Sequence, residues 1–253
     1  MVTGMIRVEH VGEVAVVRLE HGKVNALDVE LLEELADVVD DLAESAPAIV
    51  VTGNGRVFSA GADLKRVLEG GADYVAAFIP ALHRAFLTLF RCRRPTVAAV
   101  EGAAIAGGCI ITAACDHRLM AEGSGRIGAN ELVVGVPFPA AAIEVMRHAC
   151  GHRTGDLVLR ARLLDVYEAV GAELIHEAVS PERLVERAVE VATELAALPS
   201  EAYAMAKQHL RLDSIARIER DSPVVDPTVA RIWAAEETLA RIGAQLERVK
   251  ASR

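Results

Sequence analysis

The stretch Phe58–Lys65, FSAGADLK, and the stretch Gly102–Cys109, GAAIAGGC, decide how this sequence is interpreted. Each follows a run of apolar residues and consists mainly of small side chains. Glycine and alanine let a backbone N–H group approach a ligand atom without an intervening side chain. Two such turns facing each other would form an oxyanion hole, whereas two tightly packed corners would need the same residues for packing alone.

Short apolar runs on either side of these turns predict buried strands. The predicted strands are Val14–Leu19, Ala48–Thr52, Thr96–Val100 and Arg118–Ala121. A helix between the first two is expected to begin after Asp28, a suitable N-cap, and to end before Pro47. The first two-thirds of the chain therefore alternates strands and helices, which indicates an α/β fold.

Apolar spacing and end signals predict the remaining helices. In the helix expected over Asp73–Arg91, Pro80 should cause a kink or mark a restart. Pro139 suits the first position of a helix over Ala140–Cys150, which Gly151 ends. Further helices are predicted at Cys109–Cys115, Thr154–Arg160, Pro181–Ala197, Ser200–Arg211 and Asp226–Lys250.

Composition excludes several classes of function. The chain has 253 residues, a net charge of -9 and a pI near 5.4, so it lacks the basic field that general binding to nucleic acid or anionic lipid requires. No partner of either kind is predicted. The four cysteines form no CxxC pair and the N-terminal sequence has no secretory signal pattern, which favours a reduced cytoplasmic protein. The apolar stretch Pro95–Cys115 is broken by Glu101 and three glycines and is expected to be buried core.

Other catalytic motifs do not fit the sequence. Gly53 and Gly55 follow a strand, but Phe58 stands where a dinucleotide-binding fingerprint needs its third glycine. The nucleophile motif GxSxG of serine hydrolases is not present. His148 and His152 have metal-ligand spacing, but HACGH lacks the glutamate of HExxH, so no metal is predicted.

Five segments spread along nearly the whole chain occur in a characteristic order: GKVNAL (Gly22–Leu27), FSAGADLK, RRPTVAAVEGAAIAGGC (Arg93–Cys109), AACDHRLMA (Ala113–Ala121) and RIGANELVVGVP (Arg126–Pro137). In this order and separation they resemble the crotonase, or enoyl-CoA hydratase/isomerase, superfamily. The resemblance implies an α/β, crotonase-like spiral of ββα units, stacked as two roughly perpendicular sheets, with a helical C-terminal trimerisation region. It places the spiral core in residues 1–197 and the helical region in residues 198–253, and it implies a homotrimer or a hexamer.

The resemblance also explains the two turns. It implies that the N–H groups of Ala62 and Gly107 hold the thioester oxygen of an acyl-CoA substrate. An enolate forms when the α-carbon of that substrate loses a proton, and one such donor contributes about 3 kcal/mol in other oxyanion holes. Coenzyme A is then part of the substrate, and no separate cofactor is expected.

Binding of the CoA portion is implied along Lys23, Ala60 and the segment Ala62–Lys65, which includes Asp63 and Leu64. Lys23, Lys65 and Arg56 would supply charge to the phosphates, although each is equally a solvated surface cation. For Asp63, capping of a helix is favoured over catalysis. Asp116, in CDHR, matches a family position that looks structural.

The catalytic acids depart from the family pattern. Hydratases of the family carry two glutamates, and the corresponding positions here are Ile110 and Glu131. Hydration benefits from two carboxylates, whereas allylic isomerisation needs one that removes a proton from C2 and returns it to C4. The sequence therefore favours an enoyl-CoA isomerase with Glu131 as acid/base, unless Glu131 is only a surface or salt-bridged residue. A hydratase (lyase) with one glutamate, an acyl-CoA-binding protein without catalysis and a thioester hydrolase remain alternatives.

Overall fold

The computed structural model of the chain describes residues 2–251, without the side chains of residues 2, 3 and 250. Its strands are Val2–Thr3 (β1), Ile6–Val11 (β2), Val14–Leu19 (β3), Ile49–Thr52 (β4), Thr96–Val100 (β5), Ala104–Ile105 (β6), His117–Ala121 (β7), Ile127–Gly128 (β8) and Glu177–Val179 (β9). One sheet has the order β1-β2-β3-β4-β5-β7-β9, and a second sheet pairs β6 with β8. The first two pairings of the large sheet are antiparallel and all later ones are parallel.

Helices connect and cover these strands. The α-helices are Val29–Ser45 (α1), Leu64–Arg91 (α2), Gly107–Ala114 (α3), Ala140–Cys150 (α4), Thr154–Leu159 (α5), Val166–Gly171 (α6), Leu184–Ala196 (α7), Ser200–Trp233 (α8) and Glu236–Ala251 (α9). Short 3-10 helices occupy Glu131–Val134, Gly151–Arg153 and Pro181–Arg183. No helix within residues 2–251 is long and apolar enough to span a membrane.

The central strands β3, β4, β5 and β7 of the large sheet are buried on both faces, which explains why their sequences read as continuous apolar runs. In β3, Val14 and Val16 belong to a smaller core completed by α7, whereas Ala15 and Val17 belong to the main core. The main core also contains the buried side of α1, α2, α3 and α4. This arrangement confirms the predicted α/β class and the four predicted central strands.

The start and the interruption of α2 differ from the prediction. The helix begins at Leu64, capped by Asp63, and the part of it beyond Gly71 matches the predicted helix Asp73–Arg91. Its interruption is at Gly71, where φ is 53° and ψ is -139°, a conformation that glycine adopts readily. Pro80 lies inside the continuing helix on its exposed side. The restart expected at Pro80 was therefore wrong. By contrast, α4 spans the predicted residues, with Pro139 as the N-cap and Gly151 as the C-cap.

The C-terminal helices are also divided differently. Separate helices were expected at Ser200–Arg211 and Asp226–Lys250, but α8 continues through Pro223 and Pro227 to Trp233. Tertiary contacts stabilise this last part: Val229 and Trp233 are buried, and Asp226 accepts a hydrogen bond from the Ala140 N–H at 2.9 Å. The predicted division between residues 197 and 198 falls in the turn between α7 and α8 and stays a prediction. The short strands β1, β6, β8 and β9, and the half-exposed β2, were not predicted.

Candidate active site

The two small-residue turns lie side by side. Ser59 and Ala104 form a parallel bridge, in which the Ile105 N–H donates to the Ser59 carbonyl at 2.9 Å. A β-carbon on Gly108 would approach the Ser59 β-carbon to 2.8 Å, so only glycine fits at this contact. The fold therefore places the two turns in contact with each other, as expected.

Ala62 is held by backbone hydrogen bonds on either side. The Leu27 N–H donates to Gly61 and the Asp63 N–H donates to Leu27, both at 2.8 Å. Ala62 lies between the two residues that form these hydrogen bonds. In a parallel pairing, the N–H and C=O groups of such a residue point away from the partner strand. The Ala62 N–H donates to no other residue within the part of the chain that the structure describes, so it is available to a ligand.

Gly107 is the first residue of α3, where a backbone N–H has no partner inside the helix. The helix dipole adds partial positive charge at this end. The N-cap, Ala106, has φ 53° and ψ -123°, a conformation that costs a non-glycine residue on the order of 1–3 kcal/mol. Such strain persists where surrounding contacts impose it, and the Ala106 N–H bonds to the Gly128 carbonyl at 2.8 Å.

Two fully buried polar side chains fix the shape of the first turn. The Asn25 amide donates to the carbonyls of Val57 and Phe58, both at 3.0 Å. The Ser59 hydroxyl donates to the Asn25 carbonyl at 2.7 Å and accepts from the Gly61 N–H at 3.1 Å. The sequence analysis did not identify this network, although Asn25 lies in the GKVNAL segment.

Glu131 begins a 3-10 helix next to these turns. Part of the residue remains accessible, but its Oε2 atom is buried and has no hydrogen-bond partner among the described residues. Its carboxyl group forms no ion pair within residues 2–251. Burial raises the pKa of Glu131 to about 8, which is far above that of a solvated glutamate.

The two turns and Glu131 line two adjoining cavities. The outer cavity, about 230 Å³, includes Ala60, Leu64, Ile105, Asn130, Val133 and Leu246 in its lining. The inner cavity, about 20 Å³, is lined by Gly107 and by Leu82, Phe86, Pro139 and Ala142. Ala62, Ala106, Glu131 and Trp233 line both. A larger cavity of about 470 Å³ lies between α8 and the end of α2, but its lining contains neither turn.

Trp233 is the main contributor to the site that the sequence analysis missed. It is the only tryptophan in the chain, and it reaches the site from the end of α8, far away in sequence. A single large side chain in a helix gives no sequence signal that distinguishes a cavity wall from ordinary core. Leu82 and Phe86 reach the inner cavity from α2.

The remaining predicted site residues lie outside the cavities. Ile110 is fully buried in α3 and is not among the residues that line them. Lys23 and Arg56 are exposed, and the Asn54 amide donates to the Lys23 carbonyl at 3.3 Å. Lys65 is exposed, and its Nζ atom lies 3.6 Å from Glu69 Oε1. The structure thus brings Ala60, Ala62, Leu64, Gly107 and Glu131 to the cavities and leaves the predicted cations at the surface.

Asp63 and Asp116 both form contacts that stabilise the fold. The Asp63 carboxylate accepts from the N–H groups of Lys65 at 3.0 Å and Arg66 at 3.1 Å, which confirms the predicted cap. The half-buried Asp116 carboxylate lies between two buried cations, Lys207 at 2.6 Å and Arg211 at 2.8 Å. Burial alone would raise the pKa of Asp116, but the two cations outweigh it and hold the pKa below its ordinary value.

No group of three or more potential metal-ligating side chains occurs within residues 2–251. At the two cavities, the structure presents two backbone donors, the carboxyl group of Glu131 and an apolar lining. Such donors stabilise negative charge on an oxygen atom, and such a carboxyl group can accept and return a proton.

The sequence profile of the enoyl-CoA hydratase/isomerase family matches residues 9–222. The chain belongs to this family. Its members are enzymes that act on acyl-CoA, and the crotonase resemblance is thereby confirmed.

Individual relatives carry two kinds of name. A Thermus thermophilus protein that is provisionally named an enoyl-CoA hydratase is 39% identical over 76% of this chain and 78% of its own length. The human protein named mitochondrial enoyl-CoA delta isomerase 1 is 28% identical over 83% of this chain and 72% of its own length. The crystal structure of human mitochondrial delta3-delta2-enoyl-CoA isomerase superposes with a TM-score of 0.93 at 24% identity, covering 98% of this chain and 99% of that one, which shows a shared fold.

Proposed function

We propose that this family member is an enoyl-CoA isomerase that moves the double bond of a 3-enoyl-CoA to the 2-position. The observation that carries the proposal is the single carboxyl group of Glu131 on the cavities that Ala62 and Gly107 also line. Of the described residues that line these cavities, Glu131 is the only acid or base. A reaction that needs one proton-transfer group fits this lining better than one that needs two.

In the proposed mechanism, the thioester oxygen accepts hydrogen bonds from the N–H groups of Ala62 and Gly107. The Glu131 carboxylate removes a proton from C2, and the negative charge moves to the thioester oxygen as the enolate forms. The two N–H donors stabilise that charge where it develops. Glu131 then delivers the proton to C4, and the double bond shifts to C2–C3. A pKa of about 8 suits a group that must both accept and release a proton near neutral pH.

Binding of the CoA portion is proposed at the exposed side of the outer cavity. Ala60 and Leu64 line that cavity, and Leu64 is followed in the chain by the exposed Lys65. Lys23 and Arg56 are further exposed cations close to the first turn in sequence. Their charges would attract the phosphates locally in a chain whose net charge is -9. Coenzyme A enters as part of the substrate, with no additional cofactor.

Hydration of a 2-enoyl-CoA is the second candidate, because the Thermus relative carries a hydratase name. In that case one carboxylate would orient and deprotonate a bound water. Ile110 disfavours this candidate, since no second carboxylate occupies the position where the family's hydratases have one.

The proposal is tested by the Glu131→Gln variant with 3-hexenoyl-CoA as substrate, followed by the absorbance of the conjugated product. General acid–base catalysis contributes about 10²- to 10⁴-fold, so kcat should fall by at least about 100-fold. Glu182→Gln is the matched control, because Glu182 also lies in a 3-10 helix but is exposed, and it should leave kcat unchanged. Full activity of the Glu131 variant would contradict the proposal.

We further propose, from the family resemblance, that the protein is a homotrimer or hexamer and, from its cysteine pattern, that it is cytoplasmic. The human relative is named as mitochondrial, so the compartment is not a fixed property of the relatives. Sedimentation of the purified protein would test the assembly, and fractionation of cells would test the compartment.

A further inference from the structure

We propose that Trp233 and Phe86 restrict this enzyme to short acyl chains by closing the inner cavity. The proposal rests on the isomerase function proposed above and specifies its substrate class: a 3-enoyl-CoA with a short, unbranched acyl chain. It makes Trp233 a specificity-determining residue, contributed by the last residue of α8 to the site of the same chain.

The two cavities differ in the part of the substrate that each can hold. The outer cavity includes Ala60 and Leu64, next to the exposed Lys65, so it leads toward the cations that suit the CoA phosphates. The inner cavity shares Ala62, Ala106, Glu131 and Trp233 with the outer one, but Gly107 lines the inner cavity only. In the proposed orientation, a thioester oxygen held by Ala62 and Gly107 has its sulfur toward the outer cavity and its acyl chain toward the inner cavity.

The inner cavity has little room for a chain. Its volume of about 20 Å³ corresponds to one water-sized group. Phe86 and Leu82 lie directly behind the oxyanion turn: a β-carbon on Gly107 would be 3.6 Å from Phe86 Cζ and 3.8 Å from Leu82 Cδ2. Both side chains are almost completely buried, so they cannot move into solvent to make space. A chain that extends well beyond C4 would collide with these walls.

Trp233 is held firmly in its position on the cavity. Its indole N–H donates to the Pro137 carbonyl at 2.9 Å, on the segment between Glu131 and α4. Its ring packs against Phe78, with 5.7 Å between the ring centroids. The side chain is 3% exposed. A wall fixed on two sides does not open readily, because displacement would leave a buried indole donor and the Pro137 acceptor unpaired.

The test compares kcat/KM for 3-hexenoyl-CoA and 3-dodecenoyl-CoA. One methylene too many in a closed apolar pocket changes kcat/KM by at least about tenfold, so the unaltered enzyme should prefer the hexenoyl substrate by more than that. Trp233→Ala opens the inner cavity and should reduce this preference by at least about tenfold. Trp233→Phe is the control that keeps an aromatic wall while removing the N–H, and it should retain most of the preference.

A second variant acts from another helix and in the opposite direction. Ala142 lines the inner cavity from α4, and Ala142→Val should fill it and lower kcat/KM for 3-hexenoyl-CoA relative to 3-butenoyl-CoA. This variant retains Trp233, so it tests the cavity even if Trp233→Ala does not fold. Thermal melting of each variant identifies any loss of folded protein.

Failure of this inference is distinguishable from failure of the proposed function. If the unaltered enzyme isomerises dodecenoyl and hexenoyl substrates equally well, the isomerase proposal stands and the chain-length inference is overturned. The acyl chain would then leave through the outer cavity, past Val133. If none of the 3-enoyl substrates reacts, including 3-butenoyl-CoA, the proposed function itself fails.

Discussion

Gly61 and Ala106 bring the two oxyanion turns into direct contact. A β-carbon placed on Gly61 would lie 2.8 Å from the Ala106 β-carbon and equally close to the Ile105 carbonyl oxygen. Both residues have positive φ, 82° at Gly61 and 53° at Ala106. The distance between the two proposed donors, Ala62 and Gly107, is therefore set by a contact that has no spare room.

Gly61→Ala should lower both activity and stability. The new β-carbon would have to push the turns apart, and the positive φ adds about 1–2 kcal/mol of strain. Misplacing one oxyanion donor costs about 10²- to 10³-fold in kcat. Steady-state kinetics and urea unfolding measure the two effects. Gly155→Ala is the control, since a β-carbon at Gly155 would meet nothing within 4 Å. This variant should leave activity and stability nearly unchanged. Similar behaviour of the two variants would show that the contact between Gly61 and Ala106 is unimportant.

The pKa of Glu131 predicts the pH dependence of isomerisation. The reaction begins with the carboxylate, and burial raises the pKa of this group to about 8 in the free enzyme. The value of kcat/KM should therefore rise with pH and level off above an apparent pKa of about 8. A profile that is flat between pH 5 and 9 would exclude Glu131 as the base with this pKa.

The same pKa predicts how Glu131→Gln affects stability. The group has a higher pKa in the folded protein, about 8, than its ordinary value of 4.5. The stability that the protonated group gives the folded protein is thus fully present below about pH 4.5 and is lost as the pH rises through 8. Glu131→Gln should melt at a higher temperature than the unaltered protein at pH 8–9, and this difference should shrink toward pH 4.5. A constant difference across this range would contradict a buried, protonated Glu131.

Asp63 should act through its helix cap and not through its charge. Asp63→Asn retains a side-chain oxygen that can accept from the Lys65 and Arg66 N–H groups, so activity should be within about threefold of normal. Asp63→Ala removes the cap and should lower the free energy of unfolding by about 1 kcal/mol. Chemical denaturation and the isomerase assay measure these effects. A large loss of kcat in Asp63→Asn with unchanged stability would instead assign Asp63 to catalysis.

Asp116→Asn should be strongly destabilising without a direct effect on catalysis. Removing the negative charge leaves Lys207 and Arg211 buried without their shared partner, which costs about 3–5 kcal/mol. The depressed pKa of Asp116 means that its stabilising effect is present above the unfolded pKa and is lost as the pH falls through the folded pKa. Asp221→Asn, which breaks an exposed pair with Arg220, should leave stability nearly unchanged, and equal effects of the two variants would refute a special role for the buried charges.

Local patterns were sufficient for much of the fold. The strand Val14–Leu19 was predicted with its observed bounds because doubly buried strands have a continuous apolar pattern. The helix Ala140–Cys150 was predicted because its end signals agree with its apolar spacing. The two differences from the predicted helices have separate origins: at Gly71 the glycine itself adopts a non-helical conformation, whereas tertiary contacts carry α8 through Pro223 and Pro227 against their residue propensities.

The candidate site was predictable to the extent that it consists of backbone and local motifs. The family resemblance of three separate segments implied Ala62, Gly107 and Glu131, and the fold brings all three to the inner cavity. Trp233 was not identified, because its position on the inner cavity depends on the course of α8 over the core. The space that the acyl chain can occupy is thus a property of tertiary packing.

The most direct test of the central claim is the ratio of two activities of the purified protein. Conjugated product formed from 3-hexenoyl-CoA measures isomerisation, and loss of the conjugated absorbance of crotonyl-CoA measures hydration. A site with one carboxylate, Glu131, predicts clear isomerisation that depends on Glu131 and hydration that is slower by at least about 100-fold, the contribution of a missing acid–base group. Hydration faster than isomerisation, abolished in Glu131→Gln, would contradict the account and assign the site to a hydratase that works with one glutamate.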